Sequence, residues 1–484
     1  MTLKDRTVTG LLWSFIDNTA SAGISFIVGI VLARLLSPRE FGLLGMLYIF
    51  IAVSQSIMES GFSQALIRKK EPSAADYSTV FYFNVAIGVF CFLLLFFFAG
   101  LISRFFNEPQ LKPLSQVLGI SLLINSTIII QRTILTKRID FKLQTRISII
   151  ASVISGLVGI GMALTGFGVW SLVGKTITMY SITAVLLWWW NKWKPILIFS
   201  IQSFKELFSF GSKLLISSLI FTVYQQVYYL VIGKYFSAQE LGYYTRADQF
   251  SQLPSTNITT VIQKVSFPVL SSIKEDIPQM KTVYKKLIKS SMLICFVLML
   301  GMASVARPMV LILLGAKWEP CIIYLQMLCF VGMFYPLQAL NLSMLQIAGR
   351  SDLFLRLEII KESLAIPVII LGIIFGIKVM ISGMMAITLV AYYLNSYWSG
   401  SFIGYSFGEQ IKDILPSFLM AVLMFVVMFA EGMLIPVSPF PLIIIQIMTG
   451  ITLILILCEG FKFKDYLYIK QIAKDKFLKQ YAKS

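Results

Sequence analysis

The sequence predicts an all-α integral membrane protein of about fourteen transmembrane helices, and three observations predict it. Of its 484 residues, 57% are hydrophobic and only 13% charged, whereas a soluble domain carries roughly 25% charged residues. Apolar stretches of about 20 residues recur from end to end, each long enough at 1.5 Å per residue to cross the roughly 30 Å hydrocarbon layer. Helices are the unit because an open strand edge could not satisfy its backbone in lipid.

Apolar runs bounded by turn and charge signals place the spans near 9–35, 41–66, 78–103, 113–135, 145–165, 169–190, 208–232, 241–265, 287–312, 321–346, 357–375, 379–401, 414–435 and 440–459. The first, from about Val8 to Leu36, is too long and too polar in its middle for a cleavable signal. The eighth contains Arg246, Asp248, Gln249, Gln252, Pro254, Asn257 and Gln263. Such a helix must be surrounded by protein or line a wet cavity. Pro254, Pro308, Pro336 and Pro367 lie in or near span interiors, where each deletes a helix hydrogen bond and invites a bend.

The net charge of +18 would suggest nucleic acid in a soluble chain. Here most of the 41 Lys and Arg fall in alternate loops, among them Arg68 to Lys70, Lys137 to Arg146, Lys192 to Lys205, Lys274 to Lys289 and Arg350 to Lys361. Positive residues stay on the cytoplasmic side, so both termini are expected in the cytoplasm and no nucleic acid is implied. The Trp188-Trp189-Trp190 run reads as an aromatic belt at an inner helix end. The tail over 461–484 is lysine-rich with interleaved apolar residues, suiting an anionic leaflet. The five cysteines fall inside spans without metal-ligand spacing, and histidine is absent, so no metal centre or cofactor is expected.

A repeat divides the spans. Arg34-Leu-Leu-Ser-Pro-Arg-Glu-Phe-Gly42 returns at an offset of 200 as Lys234-Tyr-Phe-Ser-Ala-Gln-Glu-Leu-Gly242, and Arg138-Ile-Asp140 returns as Arg350-Ser-Asp352. Two six-helix halves follow, 1–200 and 201–405, with two additional helices in 406–460 and the basic cytoplasmic tail in 461–484. In such transporters the substrate path runs between the halves.

The runs Leu32-Ala-Arg-Leu-Leu-Ser-Pro-Arg-Glu-Phe-Gly42, Gly166-Phe-Gly-Val-Trp-Ser-Leu172, Ile232 to Ala247 and Leu340 to Asp352 resemble those of the bacterial polysaccharide transporters, the Wzx-type flippases. The subgroup of colanic and teichuronic acid exporters is the most similar. The resemblance implies two six-helix bundles in a V-shaped exporter arrangement that alternates between inward-open and outward-open states. It implies as cargo an oligosaccharide repeat unit on undecaprenyl pyrophosphate, and membrane lipids and polysaccharide assembly proteins as partners.

Six bases lie within spans: Arg132, Lys175, Lys213, Arg246, Lys264 and Arg307. Each is costly in hydrocarbon, and a cavity lined by them would suit a pyrophosphate-sugar headgroup. Arg132, Lys213, Lys264 and Arg307 also lie close enough to helix ends to snorkel to an interface. The acids Asp17, Glu59 and Asp248 are candidates for coupling transport to H+ or Na+. An ion-coupled multidrug exporter is the alternative within transport, but it would favour acids over bases in its cavity. A glycan polymerase or lipid-using glycosyltransferase would need a large soluble loop or domain, and no loop is long enough for one.

Overall fold

The structure is a computed structural model that describes residues 3–59, 61–463, 466–467 and 470, and of residues 3–12, 15, 18, 213 and 351 only the backbone. Most of the expected basic tail lies outside these residues. Among the described residues the regular structure is helical throughout, with no strand. The chain divides into two compact units, Met1–Gly242 and Tyr243–Ser484.

The first unit contains α1 (Leu3–Leu35), α2 (Pro38–Glu59), α3 (Phe62–Arg68), α4 (Ala74–Phe106), α5 (Leu111–Lys137), α6 (Phe141–Leu164), α7 (Trp170–Asn191) and α8 (Ile201–Tyr235). The opening turn of α9 (Ala238–Ser272) also belongs to it. Helix α4 packs along α5, α6 along both α1 and α7, and α8 along α2. Lipid tails are as apolar as leucine, so these contacts gain from close packing more than from water release. Small residues therefore mark the tightest approaches: Gly88 faces Ser126, and Gly159 faces Lys175.

The repeated motif has a structural cause in each copy. Glu40 accepts hydrogen bonds from the Ser37 amide (2.5 Å) and hydroxyl (2.9 Å), while the Glu240 amide donates to Ser237 Oγ (3.1 Å). These are the two halves of a capping box, which satisfies the orphan amides that open α2 and α9. The glycines do something else. A Cβ on Gly42 would sit 1.5 Å from the Ala238 carbonyl oxygen, and one on Gly242 would sit 1.9 Å from the Pro38 carbonyl oxygen. The two copies thus cross backbone to backbone, each glycine against the residue that opens the other helix. Gly168, at φ 55°, lets Glu40 approach to within 2.5 Å of where its Cβ would be, which ties the Gly166 to Leu172 motif to the first copy.

The second unit contains the rest of α9, then α10 (Ile277–Ser304), α11 (Ala306–Leu313), α12 (Cys321–Gly332), α13 (Tyr335–Ile347), α14 (Ser351–Phe375), α15 (Ile377–Ile403), α16 (Phe407–Leu434) and α17 (Pro439–Gly460). Helix α16 lies along α10 and α17 along α16. One end of the α10–α16 contact is ionic: Lys281 and Lys285 pair with Glu409 at 3.0 and 2.6 Å, and Lys285 reaches Asp413 at 3.2 Å. Tyr405 adds its hydroxyl to Asp413 at 2.8 Å. Deeper in, the Tyr284 and Ser399 hydroxyls donate to Asn341 Oδ1 at 3.0 and 2.5 Å, joining α10, α13 and α15 through buried polar groups.

Eleven described helices are long and apolar enough to cross a membrane. The remaining three expected spans correspond to α1, α9 and α14, which are helical but more polar. In α1 the apolar part is confined to Thr19–Leu35, α9 holds the polar run read from sequence, and α14 opens with Asp352, Arg356, Glu358, Lys361 and Glu362. Three expected spans are interrupted. The span 41–66 breaks at Gly61, 287–312 at Val305, and 321–346 at Met333 and Phe334. Pro308 and Pro336 stand in the first turns of the helices restarting after the last two breaks, where a missing amide costs nothing. Helices α9 and α14 run continuously through Pro254 and Pro367.

Candidate substrate cavity

A cavity of about 540 Å³ lies in the first unit, within the usual size of a small-ligand site. Its walls are the α2–α3 break (Glu59, Gly61, Ser63, Gln64), one face of α5 (Asn125, Ile129, Arg132, Thr136) and the α8 stretch Leu214 to Phe221.

The break makes the cavity. Gly61 adopts φ 67°, a left-handed conformation that favours glycine. Its missing Cβ would stand 2.8 Å from the Gly211 carbonyl oxygen and 3.0 Å from Leu214 Cβ, so the turn fits tightly against α8. The short helix α3 is then secured at both ends. Its first turn bonds to α5 through Thr133 and Ser63 (3.0 Å). At its C-terminus Lys137 donates to the carbonyl oxygens of Leu66 (2.9 Å), Ile67 (3.2 Å) and Lys69, supplying a cation where carbonyls lack partners. Phe62, Ala65 and Leu66 pack under it against Val80, Ile130, Ile134 and Leu207. Just beyond, Lys69 bonds Glu206 (3.0 Å) and Asp76 (3.1 Å), and the Glu206 hydrogen bond is the main cause holding its ammonium above the ordinary lysine pKa. Lys137→Met, which keeps the aliphatic stem, is expected to destabilise the protein by about 1 kcal/mol. A thermal melt of the purified protein would show it, and Lys112→Met, on an exposed loop-proximal lysine, should leave the melt unchanged.

Arg132 and Glu59 both face this cavity, and each lies within electrostatic reach of the other and of the Tyr180 hydroxyl. Tyr180, on α7, is held by a hydrogen bond from Gln55 Nε2 at 2.7 Å. The Ser56 and Ser218 hydroxyls meet at 2.9 Å across α2 and α8. Among the described residues the cavity therefore offers one guanidinium, one carboxylate and a surround of hydroxyls and amides. A guanidinium suits phosphate oxygens, and the neutral groups suit sugar hydroxyls.

Of the candidate residues, this cavity unites Arg132 with Glu59. Lys175 is half-buried on α7, its stem against Gly159 of α6, and is not among the lining residues. Asp17 is half-buried on α1 and accepts from Ser21 Oγ at 3.1 Å, one turn on. The Lys213 side chain lies outside the described residues. The other four belong to the second unit. Arg246 is buried and donates to Gln249 Oε1 at 2.5 Å on its own helix, and buried Asp248 accepts from Gln252 Nε2 at 2.8 Å. Lys264 is exposed. Arg307 is exposed and pairs with Glu319 at 3.6 Å.

Asn125, Ser63, Gln64, Thr136 and Ser217 enter the cavity without having stood out in the sequence. A signal was there for α5: positions 125, 129, 132 and 136 fall at helical spacing, a partly polar stripe in an apolar span.

The family profile described as polysaccharide biosynthesis protein matches residues 31–323. The lipopolysaccharide biosynthesis protein WzxC of Escherichia coli (strain K12) is 26% identical over 77% of this chain and 76% of its own length. The teichuronic acid biosynthesis protein TuaB of Bacillus subtilis (strain 168) is 25% identical over 72% of this chain and 73% of its own. Among solved structures, an inward closed conformation of the lipid II flippase MurJ aligns with TM-score 0.74 at 18% identity, covering 94% of this chain and all of that one. An inward-facing multidrug transporter of the MATE family aligns with TM-score 0.60 at 15% identity, covering 80% and 94%. The fold is the one these two structures share.

Proposed function

We propose that this chain, which belongs to the polysaccharide biosynthesis protein family, is a flippase that turns an undecaprenyl-pyrophosphate-linked oligosaccharide repeat unit from the cytoplasmic to the periplasmic leaflet by alternating access. The observation that carries the reading is the cavity in which Arg132 faces a surround of hydroxyls and amides within a multi-pass helical unit. A pyrophosphate-linked sugar needs a cation and neutral hydrogen-bonding groups, and the cavity lining supplies both. No covalent step is required, so the protein acts as a transporter and not as an enzyme. Its basic loops support an inner-membrane orientation with both termini in the cytoplasm. Lys175, Lys213, Arg246, Lys264 and Arg307 would assist the headgroup at other stages of its passage. Glu59, with Asp17 and Asp248, would couple movement to H+ or Na+.

Deleting the gene in its native host tests the reading. The expected result is loss of a surface polysaccharide together with accumulation of its undecaprenyl-linked repeat unit on the cytoplasmic side. Loss of the polysaccharide without that accumulation would assign the protein to a different step.

A further inference from the structure

Between α7 and α8 the chain runs through Lys192-Trp-Lys-Pro-Ile-Leu-Ile-Phe-Ser200 without regular structure. It turns out of α7 at Lys192, in a left-handed conformation. Its backbone is then fastened to the protein. The Ile196 amide donates to Ser78 Oγ at 3.0 Å, the Ser200 amide donates to Thr79 Oγ1 at 2.9 Å, and the Trp193 carbonyl accepts from Gln131 Nε2 at 3.2 Å. Ser78, Thr79 and Gln131 are all buried. The polar side of the segment thus faces inward while its apolar side chains face outward: Leu197 is 94% exposed, and Ile196, Ile198, Phe199 and Ile201 are exposed as well. Trp189 and Trp190 stand exposed at the end of α7, and Lys192, Lys194 and Lys205 are exposed around the strip.

We infer that this segment is an interfacial anchor: Ile196 to Phe199 insert among the acyl chains of the cytoplasmic leaflet, and Lys192, Lys194 and Lys205 hold its anionic headgroups. A fastened segment cannot fold its apolar side chains away, so something apolar must cover them. Irregular backbone exposed to lipid is excluded from the hydrocarbon interior, which places the strip at the boundary, where headgroups and water complete its hydrogen bonding. The lysines supply the charge complementarity that commits it to an anionic lipid surface. Because α8 begins at Ile201 and its later turns wall the cavity, the anchor sets the depth of that wall.

The test needs no transport. The full chain, with its five buried cysteines replaced by alanine, is spin-labelled at Leu197→Cys or, as a second position, at Ile198→Cys. It is then placed in nanodiscs of phosphatidylcholine with or without phosphatidylglycerol. With the anionic lipid present, collisions of the label with oxygen should exceed those with a water-soluble nickel chelate, and a label at Lys112→Cys should show the reverse. Removing the lysines (Lys192→Ala, Lys194→Ala, Lys205→Ala) should cut the anionic-lipid dependence by about fivefold per lysine. A label at Leu197 that meets the nickel chelate as freely as the one at Lys112 would overturn the proposal. So would a label shielded only after a membrane protein extract is added, which would make the strip a protein-docking surface.

Discussion

Replacing Gly42 with alanine is expected to destabilise the protein by about 3 kcal/mol or more, and Gly242→Ala by a similar amount. The new methyl group on Gly42 would lie 1.5 Å from the Ala238 carbonyl oxygen, and that on Gly242 1.9 Å from the Pro38 carbonyl oxygen. Overpacking a core side chain costs about 1–3 kcal/mol because neighbouring side chains can shift. Here the obstacle is backbone at the capped start of a helix, where a shift also opens the Ser37–Glu40 or Ser237–Glu240 cap. Each substitution should lower the thermal midpoint of the purified protein and its yield in the membrane. Gly100→Ala, where the added carbon meets nothing within 4 Å, should leave both unchanged. Since the two glycines relieve one crossing, the double variant should cost less than the sum of the singles.

The second large effect falls on transport. Arg132→Ala is expected to lower the rate of lipid-linked oligosaccharide translocation about 10- to 100-fold, the worth of one or two charge-assisted hydrogen bonds to phosphate. Arg132→Lys should recover part of the loss, because a lysine keeps the charge but not the planar fork of donors. Arg132→Glu, adding a second carboxylate beside Glu59, should abolish transport. Glu59→Gln separates two roles: if Glu59 couples transport to an ion, cargo binding should persist while turnover falls. Lys112→Ala, at an exposed position outside the cavity, serves as the control.

Much of this was legible in the sequence because membrane helices announce themselves by length and composition. The repeat around Ser37 and Ser237 was legible for a sharper reason. Its constant residues each perform a local task, with Ser and Glu capping a helix and Gly admitting a backbone, so they survive where the surrounding apolar residues drift. The breaks ahead of Pro308 and Pro336 were half-legible, since proline marks where a helix can restart but not whether it must. Pro254 and Pro367, in helices that do not break, show the other outcome.

The cavity was harder to read. Arg132 and Glu59 stood out as charges inside spans, but their convergence depends on Gly61, one glycine among 31. Nothing in its neighbours announces the left-handed turn at the α2–α3 break. Lys137 reads in sequence as one more positive residue retained inside, whereas its ammonium closes the end of α3. Arg307, a charge near the end of a span, is exposed and paired with Glu319, a partner that the hydropathy of its own span does not announce. Hydropathy reports how deep a residue lies along a helix, but the face it occupies depends on which helices pack there.

The most direct measurement of the central claim uses the purified protein in liposomes carrying an undecaprenyl-pyrophosphate-linked oligosaccharide in both leaflets, with a membrane-impermeant glycosidase added outside. In empty liposomes only the outer-leaflet cargo is cleaved, about half of the total. A flippase should make the protected cargo accessible over time, and Arg132→Ala should slow that second phase about 10- to 100-fold. Protection of the inner-leaflet cargo that persists unchanged with the wild-type protein, under either an H+ or a Na+ gradient, would contradict the account.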